Sequence, residues 1–223
     1  MRRWLWLVAL TACATAPAVR PGTPSRPLAP SAPSRDVAQL VGWSADHPVT
    51  LASARWSPVV GATGLEAVVL ERRVGDQKEV VLALVRAGEL VGSVPLARVT
   101  SGPPHPRSVG ATLAELPLGA GDRALRVDVR TFDGGEAQLF AVKTTLVALA
   151  GDRPVRLLDR LVESGDRVRD RRADLTVRDL DGDGTPELIV EERESGASPP
   201  RTVVYRRGRD GRYVTKDPSI FGD

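Results

Sequence analysis

The sequence is poor in the residues on which many enzymes depend. Its 223 residues include one cysteine, two histidines and only 4% aromatic residues. A single cysteine excludes a disulfide framework and any zinc or iron–sulfur site built from several cysteines. Neither His47 nor His105 lies in a sequence setting typical of a base beside a nucleophile. We therefore predict that the chain is not an enzyme.

The sequence also lacks an apolar run of the roughly 20 residues that a membrane-spanning helix requires. Its first residues instead have the pattern of an export signal. Arg2 and Arg3 precede a short apolar run at 4–10, and small residues follow it. A positive start, an apolar stretch and small residues at a cleavage site are typical of secretory signal peptides. The sequence therefore predicts export without a transmembrane helix.

Residues 10–13, Leu-Thr-Ala-Cys, contain the only cysteine of the chain. They resemble the lipobox of bacterial lipoproteins, in which the cysteine is lipid-modified and becomes the new N-terminus. The resemblance implies a signal peptide at 1–12, a lipidated Cys13 and a membrane anchor, since several acyl chains bind a bilayer stably. Ala14 after the cysteine implies the outer membrane, on its periplasmic or surface face. The alternative is a secreted protein cleaved after Ala14 or Ala16.

The positive charge of the full sequence largely belongs to the signal. Removing Arg2 and Arg3 from the 31 basic residues leaves 29 against 28 acidic ones. A nearly neutral mature chain lacks the basic surface that nucleic acids require, so no nucleic-acid partner is expected. Residues 13–35 follow as a tether rich in proline, alanine and serine, a composition that stays extended. We assign the remainder, 36–223, to a single domain.

The periodicity of this domain is mostly that of β-strands. Leu125, Val127 and Val129 alternate with polar residues, and residues 80–85 are apolar on both faces, as in a central strand. Short turns between such runs favour antiparallel pairing. The predicted strands are 65–72, 79–86, 90–96, 124–131, 137–149, 175–178, 188–192, 202–206 and 212–215. Residues 155–162 fit a helix or a strand, and 101–121 fit a long proline-rich loop. The predicted fold class is all-β and mainly antiparallel.

The strongest chemical signal is the segment 179–188, Asp-Leu-Asp-Gly-Asp-Gly-Thr-Pro-Glu-Leu. Asp179, Asp181 and Asp183 occupy loop positions 1, 3 and 5, where carboxylates point inward as the backbone curls. Clustered carboxylates repel one another unless a cation neutralises them. Oxygen ligands select a hard cation, and a flexible loop favours Ca²⁺ over Mg²⁺. The alternative is a metal-free acidic turn whose residues merely suit turn geometry.

The flanks of this loop are rich in β-branched residues, and position 12 is Val190 where an EF-hand has glutamate. The segment resembles the calcium loop of FG-GAP/VCBS-type repeats, which lies between two strands. That resemblance implies Ca²⁺ ligands from Asp179, Asp181, Asp183, the Thr185 carbonyl and Glu187, the last directly or through water. Propellers repeat such a loop in each blade. A single copy therefore predicts a compact β-sandwich or blade-like sheet stack rather than a full propeller.

Three functions fit these features. The first is a non-catalytic envelope lipoprotein whose calcium-stabilised β domain serves as a binding module, with a protein or glycan partner. The second is a periplasmic inhibitor of a cell-wall hydrolase, because similar calcium loops occur in proteins resembling lysozyme inhibitors. The third is a calcium-dependent hydrolase. No group of side chains in the sequence indicates a catalytic centre.

Overall fold

The structure is a computed structural model, and it describes a β-rich part of the chain. The described residues are 42, 49–51, 64–100, 107–119, 121–135, 138–151, 153–166, 168–196 and 199–221. The predicted signal peptide, Cys13 and the tether at 13–35 lie outside these residues. Within the described residues, no helix is long and apolar enough to cross a membrane.

The described residues form twelve strands. Their bounds are β1 Val49–Leu51, β2 Leu65–Val74, β3 Gln77–Arg86, β4 Glu89–Thr100, β5 Arg107–Gly119, β6 Asp122–Asp133, β7 Phe140–Ala150, β8 Arg153–Gly165, β9 Asp170–Arg178, β10 Glu187–Glu194, β11 Arg201–Arg207 and β12 Tyr213–Val214.

These strands form two antiparallel sheets. The smaller sheet has the order β1-β2-β3-β4, and the larger has the order β12-β11-β10-β9-β8-β7-β6-β5. Within each sheet, every strand pairs with its neighbours in sequence, because short turns connect antiparallel strands directly. The sheets stack on each other and form no ring of blades in the described part of the chain. The predicted all-β, antiparallel sheet stack is therefore confirmed.

A first apolar core lies between the two sheets. Val80, Leu82 and Leu84 of β3 are fully buried in it, together with Leu125 and Val127 of β6. Because side chains alternate across a strand, β6 places Arg126 on its opposite face. The apolar alternation in the sequence thus decides which face of each strand meets the other sheet.

A second apolar core joins the two halves of the larger sheet. Leu146 and Leu158 pack there with Leu188, Val203 and other residues of the last strands. Leu146 belongs to this core and its neighbour Val147 to the first, so β7 is buried on both faces. Strand β9 pairs with β8 only at 170–172, against 163–165, and then leaves it. The larger sheet therefore folds over on itself beyond β8.

Two segments differ from the sequence predictions. Residues 107–119, predicted within a loop, form β5, in which Val109, Ala111 and Leu113 pack against the first core. The nearby prolines and glycines hid this weak alternation of small side chains. Residues 155–162 belong to β8 and are not helical. The adjacent Leu157 and Leu158 are both buried there. Two successive apolar residues fit neither the 3.6-residue period of a helix nor the two-residue period of a half-buried strand.

Candidate metal centre

The acidic segment connects β9 to β10 at the point where the two strands stop pairing. Arg178 and Glu187 are register partners, so the connection between them closes on itself as a hairpin. Gly182 and Gly184 have φ angles of 77° and 84°, a region in which side-chain-bearing residues are strained. The two glycines therefore allow the backbone to curl where the aspartates alternate. Both flanks are strands, whereas an EF-hand requires helices.

The loop is held by hydrogen bonds from its own backbone amides to its carboxylates. Asp179 accepts from the Gly182 amide at 2.7 Å through Oδ1 and from the Gly184 amide at 3.0 Å through Oδ2. Asp181 accepts from the Asp183 amide at 3.2 Å. Each bond uses one lone pair of a carboxylate oxygen that has two, so every bonded oxygen can still accept another partner.

Glu187 forms the buried side of the site. It begins β10 and is only 4% exposed. Its Oε2 accepts from the Leu180 amide at 2.9 Å. Its Oε1 lies 4.0 Å from Nε of Arg206, whose side chain is 71% exposed. A single distant and solvated guanidinium balances a buried carboxylate only weakly.

The base of the loop is fixed by Tyr213. Its hydroxyl donates to the carbonyl oxygen of Pro186 at 3.1 Å, which ties β12 to the residue before Glu187. Burial raises the pKa of Tyr213 above its ordinary value, against a lowering by Arg207. The hydroxyl therefore stays protonated and remains a donor at neutral pH. The strand pairing and this bond together position Glu187 beside the loop.

Three carboxylates converge at this loop. Asp179, Asp181 and Glu187 each offer one oxygen, and these oxygens all lie within 4.8 Å of one another. Asp179 and Asp181 are exposed, so a cation can reach them from solvent, while Glu187 closes the inner side. Three like charges at this separation repel, and an all-oxygen donor set suits a hard divalent cation. The residues present therefore fit a metal ion.

The structure brings together three of the predicted ligands. Asp183 accepts from the Thr185 amide at 2.6 Å and is not a member of the converged group. Coordination by Asp183 and by the Thr185 carbonyl stays a prediction. Arg206 was not predicted from the sequence. Its proximity to Glu187 follows from the pairing of Leu188 with Tyr205.

A second feature is a groove of about 600 Å³ on the face of β6 that carries the polar residues. Asp128 lies in it and accepts from Arg126 at 3.0 Å and from the fully buried Thr144 hydroxyl at 2.5 Å. Arg130 donates to Glu163 at 3.0 Å across the same groove. These charged groups are arranged in pairs, so the groove offers both donors and acceptors to a polar partner.

Comparisons of this chain with models of protein families, with curated protein sequences and with solved structures give no match.

Proposed function

We propose that this chain is a non-catalytic lipoprotein of the bacterial envelope whose β domain is stabilised by Ca²⁺ and serves as a binding module. The observation that carries the proposal is the convergence of Asp179, Asp181 and Glu187 within 4.8 Å. The lipobox-like residues 10–13 support anchorage to a membrane through Cys13. The groove beside β6 supports a protein or glycan as the partner.

The choice of Ca²⁺ rests on the chemistry of the loop. Its donors are oxygens on a flexible backbone, and Ca²⁺ accepts six to eight such ligands at about 2.3–2.6 Å in irregular geometry. Mg²⁺ demands a nearly ideal octahedron and keeps several of its waters. Asp183, the Thr185 carbonyl and water are available to complete the shell. An extracellular site of even millimolar affinity would be loaded in a compartment rich in calcium.

The role assigned to the ion is structural. Binding would offset the repulsion among the three carboxylates and would balance the charge of the buried Glu187. Because the converged site exists only when β9 and β10 are paired, binding stabilises the folded state alone. Residues 179–187 of the loop do not line the groove, although Arg172, Ala173 and Asp174 of β9, the strand that leads to the loop, do. The ion would therefore support the fold without contacting the partner.

The experiment is thermal unfolding of residues 36–223 with Ca²⁺ and with a chelator. A concentration tenfold above the dissociation constant stabilises by about 1.4 kcal/mol. We therefore expect the midpoint to rise by roughly 3–6 °C with Ca²⁺. Asp181→Ala should remove most of this difference. Asp174→Ala is the matched control, because Asp174 lies on β9 with a side chain that is 72% exposed.

Two outcomes would contradict a metal site at this loop, and a third would contradict the choice of Ca²⁺. The wild-type midpoint could be the same with Ca²⁺ and with chelator, which would mean that the loop is a metal-free turn. Alternatively, the difference could persist unchanged in Asp181→Ala, which would mean that Ca²⁺ binds elsewhere. Mg²⁺ at the same concentration should shift the midpoint less than Ca²⁺, and an equal shift would oppose the choice of ion.

A further inference from the structure

The groove beside β6 lies where the larger sheet folds over. Its lining comes from β5, β6, β7, β8 and β9, and Cα atoms of β9 lie within 8 Å of Cα atoms of β5. Its volume of about 600 Å³ falls within the roughly 300–1,000 Å³ that small-ligand pockets occupy. Val142 and Val162 line it and are only 7% and 5% exposed, so part of its wall is apolar. The groove therefore has the size and the mixed lining of a small-ligand site.

Three arginines and two carboxylates of the groove form two ion-paired groups. Nε of Arg126 donates to Oδ1 of Asp128 at 3.0 Å. Glu163 is shared, because its Oε2 accepts from Nη2 of Arg130 at 3.0 Å and its Oε1 lies 3.5 Å from Nε of Arg172. Three guanidinium groups thus stand against two carboxylates, which leaves one surplus positive charge.

A third carboxylate of the lining, Asp174, does not cancel this surplus. Its side chain is 72% exposed, and Nη2 of Arg193, which does not line the groove, lies 3.9 Å from its Oδ2. A solvated carboxylate beside a cation of its own contributes little to the field within the groove. The groove therefore favours a ligand that carries negative charge.

Arg126 is the group best placed to hold such a charge. Its partner Asp128 is fixed in turn, because Oδ1 also accepts from the buried Thr144 hydroxyl at 2.5 Å. Among the described residues, Nη1 and Nη2 of Arg126 and Oδ2 of Asp128 have no hydrogen-bond partner. The end of a guanidinium group whose Nε is already occupied presents two parallel donors, the geometry that a carboxylate matches.

The remaining lining distinguishes a sugar from a protein as the partner. Gly110, Ala111 and Ala173 are small, and no aromatic residue is among the described residues of the lining. Protein interfaces depend on large side chains that fill desolvated apolar pockets. A groove with charged groups at 126, 128 and 130 is a poor receptor for such an anchor. Neighbouring donors and acceptors instead suit the hydroxyls of a sugar, each of which can donate and accept.

We propose that the groove binds a sugar acid, with the ligand carboxylate on Nη1 and Nη2 of Arg126 and a ligand hydroxyl donating to Oδ2 of Asp128. This inference rests on the proposed binding function and narrows its partner to an acidic glycan. Val142 and Val162 offer contact to the apolar face of a sugar ring. A carboxylate matches the single surplus charge, whereas a phosphate group, with a charge of about −1.5 to −2, would be repelled by Asp128 and Glu163.

The test is titration calorimetry of the full chain with digalacturonate, a disaccharide with one carboxylate on each ring. Its dimethyl ester is the matched control, because it keeps both rings and loses both charges. We expect the ester to bind at least roughly tenfold more weakly, since charge-assisted hydrogen bonds are about twice as strong as neutral ones. A doubly acidic dipeptide with blocked ends carries the same charge without a sugar ring. It should also bind at least roughly tenfold more weakly.

Substitutions locate the binding site. Arg126→Gln should weaken digalacturonate binding roughly tenfold and abolish the preference for the acid over its ester, a change that general damage to the fold does not produce. Arg172→Gln should weaken binding by only about threefold, because that side chain is 67% exposed. Arg123→Gln is the matched control, since Arg123 lies on the same strand as Arg126 but does not line the groove. It should bind as the wild type does.

The outcomes separate this inference from the proposed function. Absence of digalacturonate binding, equal binding of the ester, or wild-type affinity in Arg126→Gln would each overturn the inference. Binding of the acidic dipeptide as tightly as the sugar acid would overturn the choice of a sugar and leave the binding module standing. The shift of the thermal midpoint with Ca²⁺ is measured independently. A Ca²⁺ shift without sugar-acid binding would reject the inference alone.

Discussion

Strand β10 carries two buried glutamates whose surroundings differ. Glu192 is 1% exposed and Glu187 is 4% exposed. Glu192 accepts from Arg160 at 2.6 Å, from the Ser219 hydroxyl at 2.7 Å and from the Ile220 amide at 2.9 Å. Glu187 has one backbone donor, a distant Arg206 and two other carboxylates as neighbours. The first glutamate is neutralised by the fold, and the second is placed among charges of its own sign.

The contrast indicates what each end of β10 does. A buried carboxylate is tolerated when it is paired and hydrogen-bonded. The chain supplies such partners to Glu192 from β8 and from the segment after β12. The charge at that end of the strand is therefore balanced by groups of the chain itself. At Glu187, besides the Leu180 amide and the distant Arg206, the chain supplies two further acceptors. The convergence of Glu187 with two carboxylates of the loop, in contrast to the fully paired Glu192, favours an external cation at the loop.

Arg160 is the centre of the paired end. Besides Glu192, it donates to the Tyr205 hydroxyl at 2.6 Å. Its guanidinium carbon lies 5.2 Å from the centre of the Tyr205 ring and 5.8 Å from that of Phe221. These contacts tie β8 to β11 and to the last described residues, where β8 and β9 no longer pair. The ion pair thus fastens the folded-over part of the larger sheet.

The largest expected effect comes from breaking this pair. Glu192→Gln leaves the buried Arg160 without its carboxylate, and removing one partner of a buried ion pair typically destabilises by about 3–5 kcal/mol. The loss should be the same with Ca²⁺ and with chelator, as measured by urea unfolding. Glu191→Gln is the matched control on the exposed face, where we expect a change within about 0.5 kcal/mol. A small effect of Glu192→Gln would mean that the partners of Glu192 stabilise it no more than those of Glu187 do, and the contrast between the two ends of β10 would be lost.

A smaller effect, with a sign that depends on the ion, is expected at Glu187. In Ca²⁺, Glu187→Gln should destabilise by about 1–2 kcal/mol, since one charged ligand is lost. In chelator, the same change should be neutral or slightly stabilising, because it removes repulsion and keeps an oxygen acceptor for the Leu180 amide. Urea unfolding in both conditions measures the difference.

Arg206→Gln is the control for this comparison. The side chain of Arg206 is 71% exposed and 4.0 Å from Glu187, so we expect little change in either condition. If Arg206→Gln destabilised as strongly as Glu187→Gln, then Arg206 would be the cation that balances the loop. The distinction between the two ends of β10 would then fail.

The smallest expected effect is on the pH dependence of stability. Burial by itself raises the pKa of Glu192, but the Ile220 amide, the Ser219 hydroxyl and Arg160 outweigh it and hold the pKa below its ordinary value. A hydrogen bond from Arg72 likewise lowers the pKa of Glu79. Lowered pKa values contribute stability that is complete above about pH 4.3 and is lost as pH falls through the folded-state values.

This loss should be shallower in Glu192→Gln than in the wild type. One titrating group changes the slope by at most ~1.4 kcal/mol per pH unit. Urea unfolding in chelator at a series of pH values below about 4.3 measures it. Parallel profiles of the wild type and the variant would show that Glu192 has the same proton affinity in the folded and unfolded states.

Local patterns predicted much of the fold. Alternation such as Leu125, Val127 and Val129 marks a half-buried strand whatever its partner is, since a strand with one apolar face must bury it. The weak alternation of β5 and the mixed pattern of β8 were missed for the opposite reason. Ala111 and Leu158 become informative only when the strands that cover them are known.

The sequence by itself determined the acidic loop between two strands, because the spacing of its aspartates and glycines fixes a local turn. It also determined the antiparallel, sheet-rich character of the domain. Only the tertiary structure decided that Glu187 is buried beside Asp179 and Asp181, and that Glu192 meets Arg160 from 32 residues away. Such encounters depend on how the larger sheet folds over, and that packing joins residues whose separation in the chain carries no local signal.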